Sequence, residues 1–214
     1  MPPETPLVEL RGVAARAGST TILRDVDFTL ECGEAVGLFG GNGAGKTTLL
    51  RIVATLMRPA AGSGSVLGAD INGQDRFQVR SRIGLIGHIP ALYPELTLAE
   101  NLRFAAEITG ASDRKVDEVL AAVGLTNAAD RRTDACSHGM QRRAEFAREM
   151  MRRPQLLLLD EPHTALDPAA VELVGHLVET TTAAGGGVVV VSHDRERVSP
   201  MVHRSVAIES GTVR

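Results

Sequence analysis

Lys46, Thr47 and Thr48 close a glycine-rich run, Gly40-Gly41-Asn42-Gly43-Ala44-Gly45. The lysine brings an ammonium and the threonine a hydroxyl that suits a hard cation. Glycines at 40, 41, 43 and 45 let the backbone turn successive N–H groups inward around an anion. Gly40 to Thr47 fits GxxxxGK[ST], the full spacing of a phosphate-binding loop. Lys46 would reach the β- and γ-phosphates of a nucleotide, and Thr47 would take a place on Mg²⁺. A second cluster, Asp160-Glu161, follows Leu156-Leu157-Leu158-Leu159. Carboxylates at the tip of a buried strand are costly unless a cation and a water engage them. Asp160 would hold Mg²⁺ through its water shell, while Glu161 would orient an attacking water and accept its proton. Two histidines end further apolar runs, His88 after Ile83-Gly84-Leu85-Ile86-Gly87 and His193 after Val188-Val189-Val190-Val191-Ser192. In open α/β sheets ligands gather outside the carboxyl ends of strands, so either ring could approach the γ-phosphate.

These groups need a sheet to position them. Ala35-Val36-Gly37-Leu38-Phe39 reads as a buried strand before the glycine turn, and Leu49, Leu50, Ile52 and Val53 give the helix after it, continuing to Leu56 before Pro59. Val8 to Leu10, Thr21 to Leu23 and Val26 to Leu30 suggest separate antiparallel strands, and Gly62-Ser63-Gly64 suggests a turn. Thr97 and Glu100 make a capping box for a helix reaching Glu107, and Val116, Val119, Leu120 and Val123 mark another. Residues 89 to about 135 therefore read as a helical insertion in the sheet domain. Gln141 to Arg152 is a charged helix, the pattern of a solvated face. Val206 to Ile208 and Thr212-Val213 suggest a hairpin around Glu209-Ser210-Gly211.

With 214 residues and 43% hydrophobic content, the chain can bury one sizeable core, so residues 1–214 are expected to be a single α/β domain. A formal charge of −3 without a basic block points away from a nucleic-acid partner. No apolar run approaches the roughly 20 residues needed to span a bilayer, and the first residues lack a signal peptide's charge and apolar core, which implies a cytosolic location. Cys32 and Cys136 have no metal-like spacing and fit two reduced thiols.

Taken together, these segments resemble the ATP-binding subunit of an ABC transporter over nearly the whole chain. Cys136-Ser137-His138-Gly139-Met140-Gln141-Arg142-Arg143 looks like the family's signature, Ala165-Leu166-Asp167 like its D-loop, and His193 like its switch histidine. The resemblance implies a P-loop NTPase cassette with an antiparallel β subdomain and a helical insertion. It implies ATP hydrolysis with Glu161 and His193 as catalytic residues. It further implies a second ATP-binding subunit, a homodimer in which Ser137 and Gly139 of one copy close over ATP in the other. A transmembrane permease subunit would be gripped near residues 89 to 110, at the cytoplasmic face of the membrane.

Three departures stand out. Cys136, His138 and Met140 replace signature residues, although Ser137 and Gly139 remain; His88 stands where a Gln is expected; and Ala17 aligns with the aromatic that stacks on adenine. Losing that stacking, about 1–3 kcal/mol, would weaken ATP binding about tenfold to a hundredfold unless Arg16 substitutes. Gly87-His88-Ile89-Pro90 and Leu96 to Phe104 further resemble the haem-exporter ATPase of cytochrome c maturation. Alternatives are an ABC-2-type drug exporter ATPase and an ATP-sensing regulatory subunit with little hydrolysis.

Overall fold

The structure is a computed structural model that describes residues 5–163 and 168–213. In chain order its elements are β1 (Val8–Ala17), β2 (Thr20–Leu30), β3 (Ala35–Phe39), α1 (Lys46–Val53), β4 (Ala61–Val66), β5 (Ala69–Asp70), β6 (Ile83–Ile86), α2 (Leu98–Thr109), α3 (Asp113–Ala122), α4 (His138–Arg152), β7 (Leu156–Asp160), α5 (Pro168–Ala183), β8 (Gly187–Ser192), α6 (Arg195–Val198), β9 (Arg204–Glu209) and β10 (Thr212–Val213). They divide into two compact units. The first comprises residues 1–85, 154–162 and 178–214, and the second residues 86–153 and 163–177.

The first unit is built on sheets. An antiparallel sheet runs in the order β2-β1-β4-β5, and a six-stranded sheet in the order β10-β9-β3-β8-β7-β6. Within the latter, β3 lies parallel to both β8 and β9, and β7 parallel to β8. Every residue of β3, β7 and β8 is buried, as befits central parallel strands that are covered on both faces and therefore read as unbroken apolar runs. Leu38, Leu49, Ile52, Leu158 and Val191 join Leu10, Leu23 and Leu30 of the antiparallel sheet in one apolar core, with the inward face of α1 between.

Three local expectations are revised. Thr21 to Leu23 and Val26 to Leu30 form one strand, β2, whose pairing with β1 shifts register near Asp25, where φ is 48°. The bulge absorbs the polar residues that break the apolar pattern. Gly62-Ser63-Gly64 lies inside β4 rather than in a turn. There the glycines serve close approach, since a Cβ on Gly64 would meet the Glu9 carbonyl oxygen at 2.1 Å. Helix α1 stops at Val53, before Leu56, because Thr55 adopts φ 60°. The hairpin around Ser210-Gly211 is present as β9 and β10.

The second unit is helical. Thr97 caps α2 through the expected box: its hydroxyl accepts from Glu100 N at 3.1 Å, and Glu100 Oε2 accepts from Thr97 N at 2.8 Å. Buried Asn101 ties the preceding loop to this helix. Its amide donates to the Tyr93 and Thr97 carbonyls and to Thr133 Oγ1, each at 3.0 Å, and its oxygen accepts from Tyr93 N. Helix α4 departs most from the sequence reading. Arg142, Glu145 and Glu149 are fully buried, so the charged face expected in water is turned inward.

Candidate functional site

The site follows from strand order. Phe39 pairs with Ser192 and Val191 with Asp160, so β3, β8 and β7 end side by side. At about 4.8 Å between neighbours, three chain exits fall within about 10 Å. The residues leaving them are the glycine loop and, more than a hundred positions further along the sequence, Glu161 and His193.

Gly45 precedes α1 at φ 107°, and a Cβ there would stand 2.5 Å from a Leu23 methyl, so both backbone and packing demand glycine. Helix α1 begins at Lys46 with no side-chain cap and no acidic residue in its first turn. Its leading N–H groups and N-terminal partial charge are thus left facing an anion site. Lys46 is only 8% exposed, and its ammonium donates to the Gly40 carbonyl at 2.7 Å and the Gly41 carbonyl at 3.0 Å. A cavity of about 330 Å³ opens here, lined by Ile22, Asn42, Gly43, Ala44, Gly45, Lys46, Thr47, Thr48, Asp160 and Glu161.

On one side of the cavity the Thr47 hydroxyl donates to Asp160 Oδ2 at 3.0 Å. Two hard oxygen donors in contact fit Mg²⁺, which keeps several waters and takes its remaining ligands from phosphates. Among the described residues no group of three His, Cys, Asp or Glu is placed to hold a metal ion. Beside them Glu161 adopts φ 50°, a left-handed conformation worth about 1–2 kcal/mol of strain for a residue with a Cβ. Its N–H donates to the Val191 carbonyl at 2.9 Å. The bend takes its side chain out of the strand's alternation, and Oε2 lies 2.9 Å from His193 Nδ1 and accepts from Ser192 Oγ at 3.4 Å. With the proton on Nδ1 the ring donates to the carboxylate and its other nitrogen is available on the exposed side. The arrangement can hold an anion, seat a divalent cation beside it, and aim a fixed carboxylate at a water.

Thus the structure brings residues 42–48, Asp160, Glu161 and His193 together, with Gly40 and Gly41 contributing carbonyls. His88, Ser137 and Gly139 belong to the second unit. His88 is exposed in the turn after β6. Ser137 caps α4, its Oγ accepting from Met140 N at 3.3 Å, and Gly139 lies in that helix's first turn. Ala165-Leu166-Asp167 lies outside the described residues. Ala17 is exposed at the end of β1, opposite Thr20, and Arg16 donates to the Ser19 carbonyl at 3.2 Å. Two participants escaped the sequence reading. Ser192, which steadies Glu161, is legible as the last residue of a buried strand; Ile22, on the cavity wall, left no local signal.

The family model described as "ABC transporter" matches residues 23–164. A Nod factor export ATP-binding protein I from Rhizobium johnstonii is 34% identical over 208 residues, covering 95% of this chain and 67% of that protein. An uncharacterized ABC transporter ATP-binding protein, YdbJ, from Bacillus subtilis is also 34% identical, covering 98% of this chain and 68% of that protein. The chain thus spans about two thirds of these relatives' length. Among solved structures, an ATP-binding subunit of an ABC transporter superposes with a TM-score of 0.88 at 29% identity, covering 97% of this chain and 88% of its own. A dimeric ATP-binding cassette in a post-hydrolysis state, bound to ADP and Pi, superposes at 0.86 with 26% identity, covering 97% and 96%.

Proposed function

This chain belongs to the ABC transporter family as one of its ATP-binding cassettes, an ATPase, and from that premise we propose how its residues divide the work of powering a separate membrane subunit. The two units act as one ATP-binding domain. The glycine loop cradles the triphosphate on its N–H groups, and Lys46 exchanges its Gly40 and Gly41 carbonyl partners for phosphate oxygens. Thr47 and Asp160 hold Mg²⁺, whose chemistry is to neutralise charge on the phosphates. Glu161 aligns the attacking water and takes its proton, while His193 holds that carboxylate and reaches the γ-phosphate from its exposed edge. His88 supplies a further polar contact. Ser137, whose oxygen is already occupied as an N-cap, keeps its O–H for the γ-phosphate held by a second copy, with the Gly139 N–H beside it. The observation that carries the reading is the convergence of Thr47–Asp160 and Glu161–His193 at the cradle's edge.

Dimerisation is supported by the dimeric cassette among the structural neighbours, and the head-to-tail arrangement of two copies is what the family resemblance implies. A membrane partner is supported by the second unit's surface. Ile89 is 80% and Ile108 72% exposed, with Tyr93 and Phe104 stacked edge to face at 5.3 Å. Exposed apolar side chains such as the Tyr93–Phe104 pair are suited to a partner surface. Among the described residues no helix is long and apolar enough to cross a membrane, and the expected place of the chain is the cytoplasmic face, beside its membrane subunit. Nod factor export in the relatives' names favours an exporter. Haem as cargo rests on Gly87 to Pro90 and Leu96 to Phe104 alone, and the cargo is to be read from the membrane subunit that co-purifies.

The test is phosphate release by the purified chain. Lys46→Ala should abolish it. Glu161→Gln should cut it by about 10²–10⁴-fold while an ATP-dependent dimer accumulates on size exclusion. Undiminished release in Glu161→Gln would remove Glu161 from the mechanism. ATP binding without release by the wild type would favour an ATP sensor.

A further inference from the structure

Three charged residues on α4, Arg142, Glu145 and Glu149, see no solvent, and the part-exposed Arg148 and Arg152 flank them. Arg142, Glu145 and Arg148 bond outside the helix to one short stretch of chain, residues 87–91. Arg142 Nη1 donates to the Gly87 carbonyl at 2.6 Å and Nη2 to the His88 carbonyl at 3.4 Å. Three residues on, Glu145 Oε1 accepts from Ala91 N at 2.9 Å, and Arg148 Nη1 donates to the Ala91 carbonyl at 2.5 Å. Arg142 and Glu145 also bond each other at 3.1 Å. Residues 142, 145 and 148 follow the i, i+3 spacing of one helix face, so the loop is clamped at both ends along that face. Burial of ionised groups contributes little stability over apolar packing of the same volume, whereas charge-assisted bonds fix geometry closely.

We propose that Arg142, Glu145 and Arg148 are positioning residues that weld loop 87–91 to α4, making the His88 loop and the Ser137–Gly139 helix head one rigid body whose union turnover requires. The inference rests on the reading above that those groups serve ATP. His88 answers to the nucleotide in its own subunit and Ser137 to that in the partner subunit. A weld between them makes the two ATP sites of a dimer respond together, and the exposed Ile89 within the clamp carries the same displacement to a docked membrane subunit.

The experiment combines amide hydrogen exchange with kinetics on the full chain. In Arg148→Ala, exchange at residues 87–91 should quicken about tenfold or more while the glycine loop is unchanged. Turnover should fall about as much, with the Kd for ATP of the isolated monomer unchanged within about twofold. Arg148→Lys, which keeps a charged donor for the Ala91 carbonyl, should restore most of both. Glu145→Ala should repeat the pattern; should it fail to fold, Arg148→Ala decides, because Arg148 lies at the cluster's solvent edge. Exchange at wild-type rates would overturn the weld, and quickened exchange with undiminished turnover would overturn its role. A wild-type chain without turnover would remove the proposed function instead and leave exchange alone to decide the weld.

Discussion

Lys46→Met isolates the charge at the centre of the cradle, since methionine keeps the length of the stem and lacks the ammonium. A unit charge about 4 Å from a phosphate oxygen contributes about 4 kcal/mol at an effective dielectric near 20. Part of that is offset, because the ammonium already bonds the Gly40 and Gly41 carbonyls at 2.7 and 3.0 Å and must give them up or share them. Charge-assisted bonds of this kind are worth about 1.5–3 kcal/mol each, and the freed carbonyls recover most of their share from water. The net loss should be about 2–3 kcal/mol, a Kd for ATP raised roughly 30- to 150-fold. Because Lys46 is buried, the loss should change little between low and moderate salt. A fluorescent-nucleotide titration at two salt concentrations measures it, and a thermal melt checks that the fold survives. A Kd within about threefold of wild type, with an unchanged melting temperature, would refute the assignment of Lys46 to the phosphates.

Leu158→Ala, in the fully buried strand β7, should cost about 2–5 kcal/mol in denaturant unfolding. Ala17→Tyr should restore a stacking face at the tip of β1 and lower the Kd for ATP about tenfold; no change would mean that the base does not approach this tip. Thr97→Ala removes the N-cap of α2 and should cost about 1 kcal/mol, most visible as faster exchange in the first turn of α2. Burial raises the Glu145 pKa above its ordinary 4.5, against the opposing Ala91 N–H, Arg142 and Arg148. The folded state therefore holds this proton more tightly than the unfolded chain. A stability penalty is absent below pH 4.5 and grows as pH rises through the folded value. Relative to Glu145→Gln, the wild type should gain stability on acidification through that window, and parallel stability curves would contradict it.

What could be read without coordinates was local chemistry. GxxxxGK[ST] carries its own meaning because the anion, the turn and the helix N-terminus are all made within a few consecutive residues, and Asp160-Glu161 announced itself by following four leucines. The antiparallel strands, the α2 capping box and the terminal hairpin were legible for the same reason. What the tertiary structure decided was everything that depends on strand order and on which face a helix buries. Glu161 meets His193 only because β7 and β8 are neighbours in register, and Ile22 reaches the cavity from another sheet. Gly62 and Gly64 look like a turn until β1 is seen lying against them. The charges of α4 have the same spacing whether water or protein faces them. Only packing against loop 87–91 separates a solvated stripe from a buried clamp, since the free energy of a charge depends on its surroundings and not on its place in the chain.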